Sequence, residues 1–299
     1  IPAWTAVLAG AALFLSWTAI SLPATMSLVS DVLPPAQRTM GVSMHSFVRR
    51  IPMALGPVVG GVMIDAFGTQ VGVRLAFGAA LAMALLAIVL QQQLISDQPA
   101  RRGKRFGLAD LASPGRVLSP ALRSLLFSDI LIRFCEQIPY AFVVLWCLER
   151  VTHPIRAADF GILTAIEMAT AMPVYIPVAY LADRGRKKPF VAITFVFFTA
   201  FPLVLLVSQS FWPLALAFVV RGLKEFGDAT RKALILDLAP DDAKAAAFGV
   251  YYFIRDAVVS IAALAGAGLW AIDPRLNLLT AAAFGALGTL WFVFRGTDL

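Results

Sequence analysis

The chain has 299 residues, 60% of them hydrophobic and 14% charged, where a soluble domain averages about 45–50% and about 25%. That balance excludes a water-soluble fold. The net charge of +7 does not point to nucleic acid, because Lys and Arg are distributed as a membrane-topology signal.

Nine apolar runs of helix length follow one another, each near the roughly 20 residues that one bilayer crossing needs. They are helix A over Ala6–Asp31, B over Met40–Ile64, C over Val73–Gln92, D over Leu122–Leu148, E over Ala158–Ala182, F over Phe190–Ser208, G over Trp212–Asp237, H over Ala245–Ala271 and I over Asn277–Arg295. Pro or charged residues mark their ends, and none shows the ten-residue alternating segments of a membrane β-barrel. The expected fold is an all-α polytopic helical bundle. Of 25 basic residues, 13 lie in one alternating set of loops and the C-terminus, from Arg38 through Arg101, Arg102, Lys104 and Arg105 to Arg295, and only Arg150, Arg156 and Arg275 in the other set. The positive-inside rule then makes the long C–D segment and the C-terminus cytoplasmic and Ile1 external. Cys135 and Cys147 share helix D and cannot bridge within it. The first residue is Ile rather than Met, so the sequence reads as a fragment.

Sliding the sequence by 206 residues places Asp31 on Asp237, Pro34 on Pro240, Arg38 on Lys244, Arg49 on Arg255 and Gly60 on Gly266. Helix A falls on G and B on H, an even number of crossings apart, so the two copies are parallel. Parallel six-helix halves define a transporter architecture with its site at mid-membrane between them. On that reading residues 1–95 are the last three helices of one half, 96–120 the cytoplasmic linker and 121–299 a complete second half, with about three helices expected upstream. An ordinary long loop within one domain is the alternative for 96–120.

Nine basic residues fall inside the expected spans: Arg49, Arg50, Arg74, Arg133, Arg221, Lys224, Arg231, Lys232 and Arg255. Each costs roughly 2.5–3.5 kcal/mol at a helix centre, so they should face one another or water. Helix A offers only Ser16, Thr18, Ser21, Thr25 and Ser27 around Pro23. Helix B carries His45 one turn before Arg49 and then Gly56, Pro57, Gly60 and Gly61, which serve either as a flexible close-packing face between halves or as small-residue packing alone. On helix D, Asp129, Arg133, Glu136 and Tyr140 lie 0, 4, 7 and 11 residues along, within an arc of about 60°. Glu136 falls near the centre, where a carboxylic acid can exchange a proton as a cavity opens; a static Arg133–Glu136 pair is the alternative. Glu167 on helix E is a lone intramembrane acid and therefore a functional candidate, with a structural partner such as an Arg on a neighbouring helix as the alternative. On helix G, Arg221, Glu225, Asp228 and Lys232 share another arc of about 60°, flanked by Lys224 and Arg231. The i,i+4 pairs Arg221–Glu225, Lys224–Asp228 and Asp228–Lys232 offer a self-contained reading of half of them.

Helix E ends in Tyr180-Leu181-Ala182-Asp183-Arg184-Gly185-Arg186-Lys187-Lys188. This stretch resembles the cytoplasmic Asp-Arg-x-Gly-Arg-Arg/Lys signature of the major facilitator superfamily, one residue short between Arg184 and Gly185 and with Ala179 where the family has a leading Gly. Gly56-Pro57-Val58-Val59-Gly60-Gly61 is similar to the end of the Gly-Pro-x-x-Gly-Gly element of that family's proton-driven antiporters, although Ser43 and Pro52 replace its upstream glycines. Asp-x-x-Pro closes both helices A and G. The resemblance implies that helices A, D and G line a central cavity, so that Asp129, Arg133, Glu136, Tyr140, Arg221, Lys224, Glu225 and Asp228 form a solute and proton pathway. It further implies that Asp183 lies near the start of helix B and that Arg184 or Arg186 pairs with Asp237, with Asp31 and Arg38 completing a cytoplasmic gate.

The implied activity is secondary transport of a small organic solute by alternating access, proton-coupled and directed outward by antiport. The implied setting is the lipid bilayer of a bacterial inner membrane, as a monomer, with no cofactor or metal. A polytopic membrane enzyme fits less well: His45 and His153 are the sole histidines, and neither His-Glu-x-x-His nor Gly-x-Ser-x-Gly occurs. A transporter-derived sensor that binds a solute without moving it shares every feature named so far.

Overall fold

The computed structural model describes residues 10, 38–94, 118–240 and 244–298. Its helices are α1 (Arg38–Leu94), α2 (Pro120–Gln137), α3 (Phe142–Leu145), α4 (Ala157–Arg184), α5 (Lys188–Val207), α6 (Phe211–Leu223), α7 (Asp228–Leu238), α8 (Lys244–Ile272) and α9 (Pro274–Arg295). A wide π-type turn, Trp146–Arg150, continues α3. No strand occurs among the described residues. Helix A, apart from residue 10, and residues 96–117 of the expected linker lie outside them.

The 57 residues of α1 do not form one straight rod. Gly68 has φ 75° and ψ 163°, a left-handed φ that costs nothing without a Cβ. The chain reverses there, because a Cβ on Gly72 would stand 2.5 Å from the Met63 carbonyl and 2.7 Å from Ile64 Cα. In an unbroken helix, positions eight residues apart are about 12 Å apart. The two limbs, 38–67 and 69–94, correspond to helices B and C. The second limb leaves Phe77, Leu81, Met83 and Leu85 exposed.

Six described helical stretches are long and apolar enough to cross a membrane. The expected helices D and G are both broken near their middles. In D, α2 ends at Gln137 and residues 138–141 turn, because Pro139 has no N–H to donate and its ring crowds the preceding turn. The freed Ile138 carbonyl accepts from Asn277 Nδ2 at 3.2 Å, and the same amide donates to the Gly266 carbonyl at 2.8 Å. Such replacement partners are required where backbone leaves the helical ladder at membrane depth. Gly266 packs so closely on Ile138 that any Cβ there would collide with its carbonyl.

In G, α6 stops at Leu223 and residues 224–227 turn before α7 begins. Tight bonds such as Phe226 N–H to Leu223 O at 3.0 Å close the turn, and Gly227 N–H donates to Thr194 Oγ1 at 2.5 Å.

α1 packs along α4, α9 lies against α2 and α5, and α6 rests on α4 and α5. One apolar core, with Leu122, Leu125, Phe195, Leu234, Phe248 and Phe292, fills the end of the bundle where α2 and α8 begin. A second, with Trp146, Leu163, Leu205, Leu214 and Phe218, fills the opposite end. The polar residues lie between them.

Candidate functional site

The two helix breaks bring charged residues of α2, α4, α6, α7 and α1 together. Glu136, in the last turn of α2, accepts from Arg133 Nη1 at 2.5 Å through one oxygen and from Lys224 Nζ at 2.8 Å through the other. Lys224 also stands 3.5 Å from Glu167 Oε1, whose second oxygen is 3.3 Å from Arg221 Nε. This contact needs a close crossing of α4 and α6. Gly222 provides it, because a Cβ there would lie 2.5 Å from the Glu167 carbonyl.

Glu225, inside the turn, meets Arg50 Nη2 at 2.6 Å and accepts from Tyr175 Oη at 3.2 Å, while Arg50 Nε donates to the same phenol at 3.1 Å. That triad ties α1 to α4 and to the G turn. Arg50 thus joins a site that sequence reasoning had centred on D and G. The signal for Arg50 and Tyr175 was present only as a basic residue and a phenol inside apolar runs, without a spacing that joined them to Glu225.

Deeper along α2, Asp129 is 1% exposed and Arg231 2%. Asp129 Oδ2 accepts from Arg231 at 2.5 Å, Tyr251 Oη at 3.1 Å and Arg255 at 3.4 Å. Asp228 takes Arg231 at 2.7 Å and Lys232 at 2.6 Å and lies 3.6 Å from Arg133. Tyr251 and Arg255, one turn apart on α8, therefore converge on one carboxylate.

A chamber of about 650 Å³ extends from these charges toward the end bearing Phe160, with Arg50, Glu136, Glu167, Arg221, Lys224 and Glu225 in its polar wall. Met53, Pro57, Val143, Val144 and Met168 line the rest, together with Tyr140. Tyr140 is in the turn beyond α2, so it does not continue the Asp129–Arg133–Glu136 stripe as an unbroken helix would have it, although it does reach the chamber.

Several other expectations change. Among the i,i+4 pairs on G, Asp228–Lys232 forms within its helix. Arg221 and Lys224 turn instead to Glu167 and Glu136 on neighbouring helices, because the 224–227 turn removes the helical register that would have aligned them with Glu225 and Asp228. Glu136 makes the pair with Arg133 that is one of its two readings, and adds Lys224 on its other oxygen. Arg49 and Arg74 do not line the chamber; they stand exposed on α1 and make no ion pair among the described residues.

At the basic end, Met40 N–H donates to Asp183 Oδ2 at 3.2 Å, placing a carboxylate at the positive terminus of α1. Asp237 pairs with Lys187, not with Arg184 or Arg186. Arg184 lies over the Tyr180 ring, 4.0 Å from its centroid, and Arg186 is exposed. The missing residue between Arg184 and Gly185 shifts the following side chains by one position, which delivers Lys187 to Asp237. Asp31 and the side chain of Arg38 lie outside the described residues.

Of the four candidate packing residues on α1, Gly61 and Pro57 touch α4. A Cβ on Gly61 would stand 3.2 Å from Ala158 Cα, and one on Gly161 would stand 2.8 Å from the Pro57 carbonyl. Gly56 and Gly60 face open space among the described residues.

A helical membrane bundle with broken central helices and a charged mid-depth chamber is the architecture of a solute carrier. The family model of the Major Facilitator Superfamily matches residues 1–150 and again residues 125–298, and the chain belongs to that superfamily. Among solved structures it is similar to FucP, a transporter of the same superfamily in the outward conformation, with a TM-score of 0.62 and 14% identity over 93% of this chain and 72% of that one. A variant of the E. coli fucose:proton symporter FucP gives a TM-score of 0.61 and 12% identity over 93% and 73%. No curated protein matches in sequence.

Proposed function

We propose that this protein moves a small organic solute across a membrane by alternating access, coupled to protons through the carboxylates of its chamber. The chamber itself carries the reading: about 650 Å³ at mid-depth, bounded by two interrupted helices, with ion pairs that join one half of the bundle to the other. Arg50 of α1 bonds Glu225 of the G turn, so opening the chamber to the other side requires that pair to separate.

With the basic end cytoplasmic, as the Lys and Arg distribution supports, the chamber faces outward. Asp183 on the α1 terminus and Lys187 on Asp237 then hold the cytoplasmic side closed. The proton enters the cycle at Glu136 or Glu225 when a cation partner withdraws, because a carboxylate held by two donors keeps its charge until one leaves. The Gly-Pro-x-x-Gly-Gly element against α4 supports exchange of solute for proton, hence export.

Solute-dependent proton flux in liposomes containing the full-length protein tests this reading, with Glu136→Gln compared to the parent. Loss of coupling in the variant is the expected result. Equal proton flux in both removes Glu136 from the mechanism, and absence of flux in the parent removes the carrier reading.

A further inference from the structure

An alternating row of charges starts at Arg133, behind the chamber, and continues along its wall through Glu136, Lys224, Glu167 and Arg221. Successive separations are 2.5, 2.8, 3.5 and 3.3 Å. The row begins and ends in a guanidinium, so three cations face two acids. Its neighbours do not cancel the surplus. Arg50 and Glu225 neutralise each other. Below the row, Asp228 and Asp129 stand 3.6 and 3.9 Å from Arg133 but already hold Arg231, Lys232 and Arg255, again three cations on two acids. Asp256, the remaining acid on Arg255, is 62% exposed at its side chain.

Two cations of the row line the chamber with donors to spare. Lys224 directs Nζ at two carboxylates and has three N–H groups. Arg221 pairs through Nε, and among the described residues its Nη groups donate no hydrogen bond. The guanidinium lies 5.2 and 5.4 Å from the ring centroids of Phe201 and Phe218, surfaces that hold it in place without neutralising it. The remaining wall is mostly apolar, with Met53, Val143, Val144 and Phe160, and adds the hydroxyls of Tyr140 and Thr164.

From this geometry we infer that the chamber takes an organic anion, its carboxylate seated on Lys224 and Arg221 and its apolar body against Val143, Val144 and Phe160. A positive surplus in a low-dielectric interior is relieved by a bound anion and worsened by a bound cation. The inference rests on the chamber being the solute site of the carrier proposed above.

The test is equilibrium binding to the full-length protein in nanodiscs. Benzoate, 3-phenylpropionate and 4-phenylbutyrate are each compared with the amide and the amine of the same skeleton. The expected order is carboxylate at least tenfold tighter than amide, with the amine weakest. Lys224→Gln leaves Glu136 on Arg133 and Glu167 on Arg221, so no acid is orphaned. The row then becomes neutral, and carboxylate affinity falls at least tenfold. Glu167→Gln increases the surplus and tightens the same ligands several-fold, an effect that a misfolded variant does not produce.

Equal or tighter binding of the amine or amide overturns the inference. So does failure of all three carboxylates to bind, or a shift of both variants in the same direction. Counterflow of the bound carboxylate in liposomes separates the two claims: selective binding without counterflow upholds the anion site and removes the carrier.

Discussion

Arg231 offers the sharpest test of the buried charge network. It is 2% exposed and donates to Asp129 at 2.5 Å and Asp228 at 2.7 Å. Arg231→Gln leaves Asp228 with Lys232 at 2.6 Å and Arg133 at 3.6 Å. Asp129, itself 1% exposed, keeps Tyr251 and a more distant Arg255. Removing one member of a buried pair costs about 3–5 kcal/mol, because the other charge remains desolvated. The retained Arg255 contact places this case at the lower end, about 3 kcal/mol. The double variant Asp129→Asn/Arg231→Gln removes one charge of each sign and leaves two amides able to bond each other, so its cost falls to about 1.5 kcal/mol or less. The assay is equilibrium unfolding of the full-length protein in mixed micelles titrated with SDS, for parent, both single variants and the double. A cost below about 1 kcal/mol for Arg231→Gln, or a double variant no more stable than that single, would refute the reasoning.

Asp183→Asn removes the charge at the Met40 N–H and should abolish transport with normal membrane insertion; ordinary uptake or efflux rates in this variant reject a gating role. Gly161→Ala forces a methyl against the Pro57 carbonyl at 2.8 Å and should cost about 1–3 kcal/mol, whereas Gly60→Ala, which meets nothing within 4 Å among the described residues, should leave unfolding unchanged. Reversing the Arg50–Glu225 bridge gives a third check. Arg50→Glu and Glu225→Arg should each stop transport, and the double reversal should restore part of it, as measured by solute counterflow. Lys187→Gln frees Asp237 and should raise labelling of a cysteine introduced at the chamber floor by an impermeant reagent from the cytoplasmic side, with Arg186→Gln unchanged; equal labelling of the two refutes the assignment of Lys187.

Much of the candidate site was legible as residue types at helical spacing. Asp129, Arg133 and Glu136 do share a face of α2, since that stretch is an intact helix and its geometry repeats every 3.6 residues. Arg221, Lys224, Glu225 and Asp228 were recognisable as a polar group, but their pairing was not. The break in G falls inside the charged stretch from Arg221 to Lys232, but charges at helical spacing look the same on a continuous polar face as across a turn, so periodicity does not mark residues 224–227. The turn depends on Gly227 fitting against Phe190 and on Thr194 accepting its N–H. Pro139 was a readable interruption in D, yet the partner that satisfies Ile138 comes from Asn277, 139 residues away.

By itself the sequence determined that this chain is an all-helical membrane bundle, because the length and apolarity of its runs follow from solvation in lipid. It also determined that charges must lie inside, because no arrangement of these helices places Arg133, Glu136 or Arg231 in a loop. Which cation meets which acid was decided by tertiary structure alone. An ion pair depends on distances of 3–4 Å between different helices, and those distances are fixed by Gly222, Gly161 and the two interrupted helices, where a missing methyl or a missing N–H sets how closely the backbones approach.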